Sequence, residues 1–163
     1  MSSTRVCASL MALTILVIAL AGCGGGKKDP QPTTINGRLE SGDWVLGDDT
    51  YVDRYECKAR ETAEAQVIMH SEEVDCFLFV YRKRSDGGLT LIAGDDDSGS
   101  GLDARVQFDA VDGTVYEVRA NSYRRGSGSY TLTFSKQLGD VQQIRPSDRG
   151  ETRLPGIGAK QAK

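Results

Sequence analysis

The chain has 163 residues, of which 26% are charged and 39% hydrophobic, and its formal net charge is -3. That length suits one domain with a real but modest core. Residues 33–135 carry 19 acidic against 11 basic side chains, while residues 136–163 carry 3 against 6; an acidic body repels phosphate backbones, so nucleic acid is excluded as a partner, and cations or basic surfaces are favoured.

Arg5 precedes an apolar run over residues 6–20, which ends in Ala21 and Gly22. A charged start, a hydrophobic stretch of this length and small residues at its end read as a secretory signal over residues 1–22. The run is short for a membrane span. Leu20-Ala21-Gly22-Cys23 resembles a bacterial lipobox, which implies that Cys23 becomes the first mature residue and carries a lipid. The competing reading is an uncleaved anchor with an incidental cysteine. Gly24, where an inner-membrane lipoprotein tends to carry Asp, leans toward the outer membrane. The expected location is therefore the bacterial cell envelope, with the lipid as the contact to the membrane. Residues 23–34 then form the lipidated start and a Gly/Lys/Pro tether without hydrophobic period.

From Ile35 on, short alternations replace any helical period. Strands are expected over residues 34–39, 52–59, 65–71, 76–82, 90–93, 104–108, 115–120 and 129–134. Residues 52–59 place Tyr55, Cys57 and Ala59 on one face and Arg54, Glu56 and Lys58 on the other. Residues 76–82 are apolar on both faces, the pattern of a central strand covered on two sides. Gly/Asp/Ser turns separate the runs at Ser85-Asp86-Gly87-Gly88, Asp112-Gly113 and Gly126-Ser127-Gly128. About eight strands in a body of residues 35–135 predict an all-β fold, a jelly-roll-like sandwich of two antiparallel sheets. Residues 136–163 are Gln-rich, basic and interrupted by Gly and Pro, so they are expected to form a disordered tail.

Three groups of side chains are candidates for chemistry. Asp95, Asp96 and Asp97 stand together in a Gly/Ser loop and offer hard oxygen ligands suited to calcium, with Asp75 or Asp53 as more distant partners. The spacing is not that of an EF-hand, since Ser100 and Val106 fall where Gly and Glu are required. The alternative is a solvated acidic turn. Cys57 and Cys76 remain after the signal and the lipid take Cys7 and Cys23, and an oxidising compartment makes a disulfide the default. Such a bridge would close a loop of about 20 residues and add roughly 3 kcal/mol; the alternative is two buried thiols. Trp44 is either an exposed stacking platform for a ligand or a large core ring. For catalysis the pattern is poor. His70 is the one histidine, its neighbour Ser71 should point to the opposite strand face, and no Gly-x-Ser-x-Gly elbow is present.

An ordered set of segments carries a family resemblance: Gly37-Arg38-Leu39 with Asp43, Asp53-Arg54-Tyr55, Val74-Asp75-Cys76-Phe77-Leu78 and Ala93-Gly94-Asp95-Asp96. It finishes on Gly113-Thr114-Val115-Tyr116-Glu117-Val118-Arg119, Ser122-Tyr123 and Gly128-Ser129-Tyr130-Thr131-Leu132. Over residues 35–135 the chain resembles the bacterial pre-peptidase C-terminal domain, a small β-sandwich usually appended to secreted proteases. Gly94 replaces the family's common Asn, and the 163 residues hold no peptidase domain, so an auxiliary role toward an attached enzyme does not carry over intact. The resemblance implies a non-catalytic binding or accessory module for a protein, polysaccharide or partner enzyme, and the family includes calcium-binding members. The other classes are a structural envelope lipoprotein without a specific ligand and a hydrolase.

Overall fold

The computed structural model describes residues 29–146 and 153–154; the signal segment, Cys23 and the tether up to residue 28 lie outside the described residues. Among the described residues ten strands form two antiparallel sheets packed face to face; the sandwich is the one the alternating runs predict, with β2 and β10 beyond the eight expected strands. One sheet has the order β1-β9-β4-β7, from β1 (Thr33–Leu39), β9 (Gly128–Phe134), β4 (Ala63–His70) and β7 (Ala104–Ala110). The other runs β10-β3-β8-β5-β6, from β10 (Leu138–Ile144), β3 (Tyr51–Ala59), β8 (Val115–Ser122), β5 (Cys76–Lys83) and β6 (Leu89–Asp95), with the short β2 (Trp44–Val45) also paired to β3.

Period-2 patterning decides which side chains meet between the sheets. Tyr55, Cys57, Leu78, Val80, Val118, Val67, Met69, Leu132 and Phe134 are all buried in one core. β5 is buried along its apolar length on both faces: Cys76, Leu78 and Val80 enter the main core, and Phe77, Phe79 and Tyr81 form a second cluster on the outer side of the larger sheet.

Two expectations require correction. The first is the tail, which is not wholly unstructured: β10 pairs with β3, and Leu138 is fully buried. A bulge between Gly139 and Gln142, with Asp140 at φ 51°, puts the apolar residues Leu138, Val141 and Ile144 three apart. An extra residue of this kind breaks strict alternation, so the segment does not read as a strand. The second is the Cys57–Cys76 disulfide. Both thiols are free and buried. Cys57 stands opposite Tyr116 and Cys76 opposite Ser122, on the two sides of β8. Those positions differ by roughly 20 Å along the strand and about 10 Å across the sheet, whereas a disulfide needs Cα atoms within about 7 Å. Burial pushes both thiols up to about 12, so neither is a ready nucleophile.

Candidate functional site

β6 ends the larger sheet at Asp95 and β7 starts in the smaller one at Ala104, so the acidic loop is the link by which the chain changes sheets. Asp95, Asp96 and Asp97 each bring a carboxylate oxygen into one group, all within 4.8 Å of one another. The loop is shaped by its own polar groups. Asp95 Oδ2 accepts the Ser98 N–H at 3.1 Å and the Arg105 N–H at 2.7 Å. Ser98 Oγ donates to the Arg105 carbonyl at 3.0 Å, and the Arg105 guanidinium returns a bond to the Ser98 carbonyl at 2.8 Å. Gly99 passes so close to Asp103 that a Cβ would lie 2.3 Å from its carbonyl oxygen.

Burial first, and then the charge of Asp97, raise the Asp96 carboxyl above its usual range. Like charges at this spacing favour a proton or a cation between them. The donor set is hard oxygen, as calcium prefers.

The two distant aspartates do not join this group. Asp53 lies opposite Ala120, Ala120 opposite Leu78, and Leu78 opposite Asp95; three strand spacings separate the two ends, about 14 Å. Asp53 instead faces the interior, where its carboxylate accepts the Tyr130 hydroxyl at 2.6 Å and Gln143 Nε2 at 2.9 Å. Asp75 lies between β4 and β5, where its backbone carbonyl accepts the Tyr123 N–H at 2.8 Å. Its carboxylate is not part of the three-oxygen group.

At the far end of the same loop, Asp103 reaches His70. His70 Nδ1 lies 2.8 Å from Asp103 Oδ1, and that bond raises the exposed imidazole above its ordinary range. His70 borders a cleft of about 430 Å³, lined also by Ser71, Glu73, Ser129 and Tyr130. Ser71 is not aligned with the pair. Its hydroxyl donates to the Ser129 carbonyl at 2.7 Å and accepts the N–H groups of Glu73 and Val74, both at 3.0 Å. Those bonds make Ser71 a turn cap. Glu73 accepts the Ser129 N–H at 2.9 Å and faces Arg38 at 3.2 Å; the backbone bond leads the effects that hold its carboxyl low.

Trp44 is half-buried and packs against the outer aromatic cluster. Its indole N–H donates to the Ile144 carbonyl at 3.1 Å, and the Arg54 guanidinium sits 4.8 Å over the ring. It is therefore neither the open platform nor the central core ring that the sequence left as alternatives. Arg54 also clamps Glu117 at 2.6 Å, with Arg119 at 2.7 Å on its other side. Burial pushes the Glu117 carboxyl up, but the hydrogen bonds from both guanidinium groups outweigh it and hold the carboxyl low. This buried triad was not legible in the sequence, because Arg54, Glu117 and Arg119 occupy positions that read as solvent-facing.

No family model matches the chain, and no curated protein matches it. Among solved structures it is similar to the pre-peptidase C-terminal domain of collagenase from Bacillus anthracis, at 20% identity and a TM-score of 0.48, covering 64% of this chain and 90% of that one. It is also similar to the Yersinia pseudotuberculosis-derived mitogen, at 14% identity and a TM-score of 0.43, covering 71% of this chain and 99% of that one.

Proposed function

We propose that this chain is a lipid-anchored module of the bacterial cell envelope. Its sandwich serves as a non-catalytic binding or accessory domain of the pre-peptidase C-terminal type, and calcium stabilises the acidic loop. The observation that carries the calcium reading is the convergence of three carboxylate oxygens within 4.8 Å where the chain crosses between sheets. A cation there relieves the repulsion among Asp95, Asp96 and Asp97 and braces the link between the two layers. The lipobox ending in Cys23 supports the anchor, and the order of motifs over residues 35–135 supports the domain type.

The test is thermal unfolding of the protein with calcium and with chelator, repeated for Asp96→Asn. Calcium at one hundred times its dissociation constant stabilises by about 2.7 kcal/mol. The expected midpoint rise is lost in Asp96→Asn, and a midpoint indifferent to millimolar calcium removes the metal from the proposal. The anchor is tested separately: the mature protein should fractionate with membranes, and Cys23→Ser should prevent both acylation and removal of the signal segment. A soluble, normally processed Cys23→Ser product rejects the lipoprotein reading.

A further inference from the structure

The outer side of the larger sheet carries an apolar patch beside the Arg54–Glu117–Arg119 cluster, and among the described residues no second sheet covers it. β5 turns Phe77, Phe79 and Tyr81 to that side, and they pack with Val52 and Leu46. Leu154 sits in this cluster and is 6% exposed. Its attachment is local. Arg153 forms a parallel bridge with Val45 of β2, and the Leu154 N–H donates to the Val45 carbonyl at 2.9 Å. The Arg153 guanidinium pairs with the Asp49 carboxylate.

The receiving loop is held together without help from these two residues. The Leu46 N–H donates to the Thr50 carbonyl and the Asp49 N–H to the Leu46 carbonyl, both at 3.0 Å. Asp48 Oδ1 accepts the Thr50 hydroxyl at 2.6 Å, and Asn121 Nδ2 donates to that hydroxyl's oxygen at 2.9 Å. Asp49 takes φ 64° at the tip. Asn121 is fully buried beside Val52 and Phe77, and its Oδ1 has no hydrogen-bond partner among the described residues. The groove thus offers a strand edge, a carboxylate and an apolar socket. An extended peptide adding to a sheet edge uses such parts, with backbone bonds for affinity and side-chain sockets for choice.

We propose that the groove along β2 is a peptide-binding site for an extended segment carrying a basic residue followed by a large aliphatic one, and that the chain's own Arg153–Leu154 occupies it in cis. Asp49 selects the basic residue, and the cluster of Phe77, Phe79 and Val52 selects the aliphatic one. The groove shares no residue with the acidic loop, so this assignment stands apart from the calcium reading.

The probe is a fluorescent synthetic peptide with the sequence of residues 150–158, Gly-Glu-Thr-Arg-Leu-Pro-Gly-Ile-Gly. Its anisotropy is measured with the unmodified full chain and with full-chain Leu154→Asp. A tethered segment acts at about millimolar effective concentration, so the variant should bind the peptide at least tenfold more tightly than the unmodified chain. Replacing the peptide's Arg with Glu, or adding Asp49→Asn to the variant, should cost a further tenfold or more. Trp44, the one tryptophan, should shift its emission in Leu154→Asp and return when peptide is added. Equal affinity for both chains, or no binding to a folded Leu154→Asp chain, overturns the proposal. Should Leu154→Asp fail to fold, a chain ending at residue 152 takes its place. Loss of the β-sheet signal in both makes Leu154 a structural part of the fold and overturns the proposal as well. Dimers of the unmodified chain that exchange their tails would put a second copy in the groove and would likewise overturn occupation in cis.

Discussion

Tyr130 donates its hydroxyl proton to Asp53 Oδ2 at 2.6 Å, tying β9 of one sheet to β3 of the other through the middle of the sandwich. Tyr55 lies 2.6 Å from the same hydroxyl oxygen and so shares the link. Burial raises the Asp53 carboxyl, and the bonds from Tyr130 and Gln143 oppose that rise. Removing one donor leaves a buried carboxylate short of a partner. Tyr130→Phe should therefore destabilise the domain by about 1.5–3 kcal/mol, read as a lower urea midpoint at neutral pH. Gly37 makes room for this ring, since a Cβ there would lie 2.2 Å from Tyr130 Cζ. Gly37→Ala should cost about 1–3 kcal/mol by overpacking. Unchanged midpoints in both variants would show that the link carries no stability.

Asp43 should make stability depend on pH. Burial leads the effects that raise its carboxyl to about 6 from 3.8, against the Glu40 backbone N–H that lowers it. A group whose folded value is raised contributes stability that is fully present below the unfolded value and lost as pH rises through the folded one. The contribution of Asp43 is therefore complete below about 4 and fades as pH passes 6. Asp43→Asn keeps an acceptor for the Glu40 N–H and removes the titration. Urea midpoints between pH 4 and 7 should flatten in the variant. An identical slope in both proteins would remove Asp43 as the cause.

His70 should titrate above its ordinary 6.5 because Asp103 accepts a bond from the imidazolium. The stabilising contribution of this pair is present below 6.5 and lost as pH rises through the raised value. Asp103→Asn should return the imidazole toward its ordinary range, followed by ring-proton chemical shifts. A His70 titration that ignores the substitution would mean that the contact does not persist in solution.

The cysteines offer a check on the sheet register. With Cys57 and Cys76 on opposite sides of β8, reductant should leave the thermal midpoint unchanged. Both thiols should resist alkylation in the native state and react fully after denaturation. An intact mass lighter by two hydrogens before reduction, traced to Cys57 and Cys76, would require a different strand pairing.

β10 should prove integral to the domain. Leu138→Ala removes a fully buried side chain, and such truncations cost about 2–5 kcal/mol. A loss below about 0.5 kcal/mol, typical of a surface site, would place the domain boundary before residue 138.

The strand alternations were legible because a half-buried strand must alternate, and β7, β9 and β3 from Asp53 onward do so. The double burial of β5 was legible for the same reason: Phe77, Phe79 and Tyr81 have no polar partners between them that would face water. The three-aspartate loop could be read directly, since consecutive residues in a turn stay together whatever the fold does. Relations between distant segments could not. Register on β8 separates Cys57 from Cys76, and position in the sheet separates Asp53 from Asp95. Arg54, Glu117 and Arg119 alternate as surface residues should, yet they meet as a buried cluster because β3 and β8 are neighbours. β10 was hidden by its bulge and β2 by its two-residue length. Local patterning follows from each residue's own contact with water or core, and it is written in the sequence. Pairing across the sheets follows from which strands become neighbours, and only the folded chain decides that.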